Sequence, residues 1–224
     1  MNVLVACEES QEVCKAFRKL GANAYSCDII ECSGGQPEWH IQQDVIPLIN
    51  GNCSFKTADG IEHTIDGEWD LLICHPPCTY MSKAGARWMY PTAGNIDPER
   101  YRLAMEAKEF FMKFINANCK HIAVENPRPL RVVGLPKPTQ VIQPYEYGHP
   151  YSKATLLWLK GLPKLNPTDI QEHYTPYLPS NTGAFSMGGG GSRGVAHDAK
   201  TASKTFPGVA KAMAEQLTEY LNKQ

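Results

Sequence analysis

The sequence predicts an α/β domain with a mostly parallel sheet. Three observations carry that expectation. Short apolar runs alternate along the chain with stretches of helical periodicity, the pattern of strand–helix–strand units. Two of the runs, Asn2–Ala6 and Asp70–Cys74, are apolar at consecutive positions, as strands buried on both faces are. Several runs stop abruptly in polar or proline-rich turns, and in open α/β sheets that edge is where ligands bind.

The totals are consistent with this. A chain of 224 residues is long enough for one well-buried domain, residues 1–224, without a second core. Lys and Arg number 22 against 23 Asp and Glu, so no global basic field exists and any nucleic-acid contact has to be local. The first residues carry no charged and then apolar leader, and no apolar run approaches the roughly 20 residues of a membrane helix. A cytoplasmic, reduced protein is expected, with its eight cysteines mostly serving as small buried hydrophobes. Cys27, Cys32, Cys74 and Cys78 form two pairs, but their spacing suits no structural zinc site, and no metal is expected.

Taken in order, Asn2–Ala6 reads as the first strand. Glu9–Leu20 places Val13, Ala16, Phe17 and Leu20 on one helical face, closed by Gly21. Ala24–Cys27 is a second strand ending at Asp28. Residues 29–52 are irregular, with a short ordered piece before Asp44. Residues 53–67 form an inserted hairpin turning on Asp59-Gly60. The strand opened by Asp70 ends in His75-Pro76-Pro77-Cys78; neither proline can donate to a ladder, and both stiffen the turn. A Gly- and Pro-rich loop follows over 83–96. Asp97 caps a helix with Pro98 in its first turn and an apolar face from Leu103 to Ile115. His121–Val124 is a strand ending in Glu125-Asn126-Pro127, and Ala154–Leu159 is another. Residues 163–200 are loop-rich, and Pro207 opens the last helix, with Val209, Ala210, Met213, Leu217 and Leu221 inward.

Chemistry gathers at the strand ends. Cys78 stands on a rigid turn, where a nucleophile is held at low entropic cost. Glu125 and Asn126 follow another strand. Asp28 is placed to accept the ribose hydroxyls of a nucleotide cofactor, and Asp44-Val45 to meet an adenine amino group. Tyr174, Tyr177, Phe185 and Arg193 offer groups that stack on or clamp nucleotides.

These residues resemble the DNA cytosine-5 methyltransferases. Pro76-Pro77-Cys78 with Ser82 is similar to the family's Pro-Cys nucleophile motif, and Glu125-Asn126 to its Glu-Asn motif. The opening strand and helix, Gly21-Ala22 and Asp28 resemble its cofactor-binding start, and Phe206–Ala210 its closing motif. The likeness spans residues 1–160 and 203–222, and the short form resembles the methylase-like proteins of bacterial viruses.

The resemblance implies a Rossmann-like fold with helices on both faces of the sheet, S-adenosylmethionine as cofactor, and DNA as partner with a short recognition site or none. It implies that Cys78 adds to cytosine C6, that Glu125 serves N3, and that Asn126 orients the loop carrying Cys78, with Ser82 beside it. It places Cys7, Glu8, Glu9, Ser10, Asp28, Ile29, Asp44, Val45 and Pro76 at the cofactor. Pro77, Lys153, Thr155 and Arg193 fall at the substrate. Cys7–Glu12 stands where the family has a glycine-rich loop, so Glu9 or Ser10 is expected to bind the donor's amino group through its side chain. Lys153 and Thr155 stand where the family has arginines, and Pro127 where it has valine.

Three other readings remain open. The first keeps the C5 chemistry but uses a free nucleotide or an altered donor. The second is an amino-methyltransferase acting on adenine N6 or cytosine N4, whose motif fails here at His75 and Cys78. The third is a non-catalytic DNA-binding relative, which would need neither Cys78 nor Glu125.

Overall fold

The computed structural model describes residues 1–177 and 203–224. Its centre is a seven-stranded sheet built from β1 (Asn2–Ala6), β2 (Asn23–Asp28), β3 (His40–Gln42), β6 (Leu71–Cys74), β7 (Ile122–Pro127), β8 (Gln140–Ile142) and β10 (Thr155–Lys160). The remaining strands lie outside it. β4 (Cys53–Lys56) pairs with β5 (Glu62–Ile65), and β9 (Tyr151–Ser152) pairs with β11 (Thr175–Pro176). The central order is β3-β2-β1-β6-β7-β10-β8. All its neighbours run parallel except β10, which is antiparallel to both β7 and β8. The fold is therefore the Rossmann-like, mostly parallel α/β arrangement that was expected. The chain leaves β1 in one direction and β6 in the other, so the crevice for a ligand lies beyond the carboxyl ends of these two strands.

Strand residues alternate between two apolar layers. Leu4, Ala6, Leu72, Cys74, Ile122 and Val124 face one layer; Val3, Val5, Leu71, Ile73 and Ala123 face the other. The first layer is covered by α3 (Pro98–Ile115) through Phe111 and Phe114, and by Phe55 and Trp69 from and beside the β4–β5 hairpin. The second is covered by α1 (Glu12–Lys19) through Val13 and Phe17, and by α4 (Pro207–Leu221) through Val209, Met213 and Leu217. Helices thus lie on both faces. Asp97 caps α3 as its sequence requires, its Oδ1 accepting the Arg100 N–H at 2.7 Å. Among the described residues no helix is long and apolar enough to cross a membrane.

Several elements differ from the sequence reading, each for a local reason. The first helix starts at Glu12 rather than Glu9, because Gln11 sits in the left-handed region at φ 60° and breaks the helical path. β7 runs on through Glu125, Asn126 and Pro127, because β10 pairs with all three. The stretch expected as loop over 83–96 holds a 3-10 turn at Lys83–Gly85 and one α-turn, α2 (Ala86–Met89), which buries Met89. β8, β9 and β11 are too short to leave a periodic signal.

Candidate active site

The turn after β6 is held from several sides. The His75 N–H continues the pairing to β1, bonding Ala6 O at 2.9 Å. Pro76 is buried and Pro77 exposed. Buried Asn126 donates from Nδ2 to the Pro76 carbonyl at 2.7 Å, across 50 residues of sequence. The Cys78 carbonyl accepts the N–H groups of Met81 (3.0 Å) and Ser82 (2.9 Å), closing a tight turn. The chain beyond is tied to the segment after β7 by Leu130 N–H to Met81 O and Lys83 N–H to Arg128 O, each 2.8 Å. Cys78 is thus presented on a loop whose two flanks are pinned, with the buried Ser82 hydroxyl placed to favour its thiolate.

Glu125 stands opposite, on the extended end of β7. Its Oε2 lies 2.8 Å from His75 Nδ1, and the two side chains are 16% and 14% exposed. The nearby Lys153 ammonium and, less, the Thr205 hydroxyl favour its charged form. Burial opposes the charged form of both partners, but their hydrogen bond and mutual charge prevail. His75 is therefore held above the ordinary imidazole range and Glu125 below the ordinary carboxyl range. Both shifts favour the imidazolium–carboxylate form of the pair. Burial pushes the Cys78 thiol up, and the Glu125 charge adds to this; Lys153 and the Ser82 hydroxyl pull the other way. At rest Cys78 is a thiol, one that a nearby cation or the loss of the Glu125 charge would activate.

The carboxyl ends of β1, β2 and β3 form the other half of the crevice. Cys7 has φ 58°, and its thiol is pushed up by burial and by the charges of Asp28 and Asp44. The structure therefore brings these three residues together. Asp28 and Asp44 each accept one local N–H through Oδ1, from Ile30 at 3.2 Å and Ile46 at 3.0 Å. Val45 is buried, whereas Ile29 is exposed. Glu8 is turned inward, 4% exposed, and its two oxygens accept the Val13 N–H at 2.6 Å and the Cys14 N–H at 3.2 Å. Gln11 is fully buried, locking the loop to Gln36 N and O at 3.0 and 2.8 Å. Glu9 accepts the Ser33 N–H through Oε2 at 3.1 Å, and Ser10 is buried. In place of glycines, inward-facing side chains fix this loop.

Of the residues expected at the substrate, Lys153 lies within electrostatic reach of Cys78, His75 and Glu125, its Nζ 5.8 Å from the Phe206 ring centre. Thr155 Oγ1 turns back to Lys153 O at 3.2 Å. Arg193 and Phe185 lie outside the described residues. Tyr174 stacks on Tyr145 with ring centres 4.0 Å apart, while Tyr177 packs against Tyr151 and Phe206.

Sequence reasoning weighs His75 only as the residue that fails the amino-methyltransferase pattern; its place between strand and nucleophile was the available signal. Thr205 and Lys204 adjoin Phe206 but carry no motif. Their position depends on Gly208, where a Cβ would lie 1.9 Å from Tyr147 O. Gly208→Ala is expected to push α4 outward and to destabilise the protein by about 1–3 kcal/mol, measured by urea unfolding.

No family model matches the chain, and no curated protein matches it. Solved structures do. A protein described as a DNA modification methyltransferase encoded within a prophage (E. coli) is 15% identical, with a TM-score of 0.42 over 77% of this chain and 51% of that one. The Entamoeba histolytica methyltransferase EhMeth is 13% identical, with a TM-score of 0.39 over 76% of this chain and 57% of that one. The chain thus spans little more than half the length of these two structures.

Proposed function

We propose that this chain transfers a methyl group from S-adenosylmethionine to C5 of cytosine in DNA, by way of a covalent adduct on Cys78. The observation that carries the reading is the convergence of Cys78, Glu125 and Lys153 at one sheet edge, with Asn126 fixing the loop between them. Cytosine C5 is a weak nucleophile until a group adds at C6. Cys78 Sγ is the soft nucleophile for that addition, which divides one hard step into easier ones. Glu125 serves N3, holding a proton there as charge develops on the ring. Lys153 lowers the cost of the thiolate and offers a cation to a phosphate or base edge. The Asn126–Pro76 bond keeps Sγ in place through the cycle.

The residues at the ends of β1 to β3 fit the cofactor. Asp28 and Asp44 each keep one carboxylate oxygen clear of the bonds named above, the chemistry that ribose hydroxyls and an adenine amino group require. Cys7, Glu9 and Ser10 border the same loop, with Pro76, Val45 and Ile29 as apolar neighbours. When bound, S-adenosylmethionine supplies the methyl group. In duplex DNA the base has to leave the stack, at about a few kcal/mol.

The test is nucleoside mass spectrometry on DNA from a methylation-free bacterial host expressing the chain. 5-Methylcytosine in that DNA is the expected result. A methyl group on an exocyclic nitrogen would favour the amino-methyltransferase, and a different mass on C5 an altered donor. No modified base at all would contradict the proposal for DNA and favour a free nucleotide or a binding role.

A further inference from the structure

A second ionisable group stands behind Glu125. His75 is the first residue beyond β6, its backbone fixed to Ala6 and its Nδ1 2.8 Å from Glu125 Oε2. Its Nε2 is buried and, among the described residues, has no hydrogen-bond partner. The charges facing the imidazole come from three segments. Glu125 on β7 and Glu8 after β1 favour its protonated form, and Lys153 before β10 opposes it. Burial also opposes the imidazolium, and the Glu125 hydrogen bond and charge outweigh it; Glu8, whose own carboxyl is pushed up by burial, adds less.

This matters for the chemistry of Glu125. A carboxylate paired with an imidazolium is ionised, and an ionised carboxylate is an acceptor with no proton for N3. The proton must be held by the pair.

We infer that His75 is a positioning residue that holds the proton Glu125 passes to cytosine N3 as Cys78 adds. The inference rests on the cytosine C5 reaction proposed above. The Cys78 thiol first gives its proton to solvent, and the thiolate released at the end of the cycle takes a proton back from solvent. As the thiolate Sγ bonds to C6, the displaced ring electron pair moves to N3. A proton leaves His75 Nδ1 for the Glu125 carboxylate, and the Glu125 carboxyl delivers a proton to N3; the N–H electron pair stays on the imidazole. After methyl transfer, C5 loses its proton to solvent and the Sγ–C6 bond breaks. N3 then returns its proton, and the imidazolium forms again. The pair consumes no proton over a cycle and needs no co-reactant.

Two rates then oppose each other with pH. Thiolate formation at Cys78 favours alkaline solution, whereas the His75–Glu125 pair must keep its proton. The alkaline limb of the profile therefore belongs to the pair.

The test compares His75→Asn with the wild-type chain in methyl transfer to DNA across mildly acidic to alkaline pH. Asparagine places an amide N–H near the position of Nδ1 and keeps the hydrogen bond, but holds no exchangeable charge. The expected result is a fall in kcat of about tenfold or more, an unchanged KM for DNA, and loss of the wild-type alkaline limb. A His75→Asn enzyme with wild-type rate and wild-type limb overturns the inference and leaves the proposed function standing. A wild-type chain that makes no 5-methylcytosine overturns the proposed function, and this inference with it. Histidine NMR on the wild-type chain and on Glu125→Gln covers the case in which His75→Asn does not fold. His75 should titrate above free histidine in the first and lower in the second, and equal titration in both overturns the inference.

Discussion

Cys78→Ser is expected to abolish 5-methylcytosine formation while leaving the fold and its unfolding midpoint unchanged. The substitution is nearly isosteric on a half-exposed loop, and the bonds that pin the loop run through backbone groups and Asn126. What changes is the nucleophile. Burial and the Glu125 charge already push the thiol up, and an alcohol in the same place lies far higher, out of reach of Lys153. Methyl transfer to DNA by the purified variant, beside its circular dichroism, checks the expectation. Turnover by a folded Cys78→Ser protein would remove the covalent step from the mechanism.

Glu125→Gln is expected to lower turnover by about 10²-fold or more, since an amide gives N3 no mobile proton. The same change has an opposite effect on Cys78. The carboxylate charge is one of the causes holding the thiol up, so its removal lowers that pKa and raises the thiolate fraction at neutral pH. Alkylation of Cys78 by iodoacetamide should therefore become faster in an enzyme that has become slower. A merely misfolded site would expose every thiol; here the buried Cys14, Cys27 and Cys74 should stay unreactive. Slower or unchanged alkylation at Cys78 would contradict the electrostatic account of this site.

Much of the sheet was legible because burial on both faces writes itself into consecutive apolar residues. Asn2–Ala6 is the plain case, its bounds the same in sequence and structure. The direction of a strand leaves no such trace. Nothing in Thr155–Lys160 says that it runs antiparallel between β7 and β8, yet that pairing extends β7 through Glu125 and Asn126. The loop after β1 was legible as a departure from glycine and illegible as a shape. Glu8 bonds the start of α1, and Gln11 adopts φ 60° with its side chain locked to Gln36; both are tertiary facts. The site divides the same way. Cys78 and Glu125 could be found from residue type and position. The His75–Glu125 and Asn126–Pro76 bonds each span 50 residues and exist because β6 and β7 are paired, in a register that places Cys74 beside Val124.

The central claim is a bond between Cys78 and the cytosine ring. It is tested most directly by incubating the chain with S-adenosylmethionine and an oligonucleotide carrying 5-fluorocytosine. Fluorine at C5 cannot leave as a proton does, so the adduct that forms has no route to elimination. The account predicts an intact mass equal to chain plus oligonucleotide plus one methyl group, with the crosslink mapping to Cys78 and missing in Cys78→Ser. Methylation of ordinary DNA without any such complex, or a crosslink at a different residue, would contradict it.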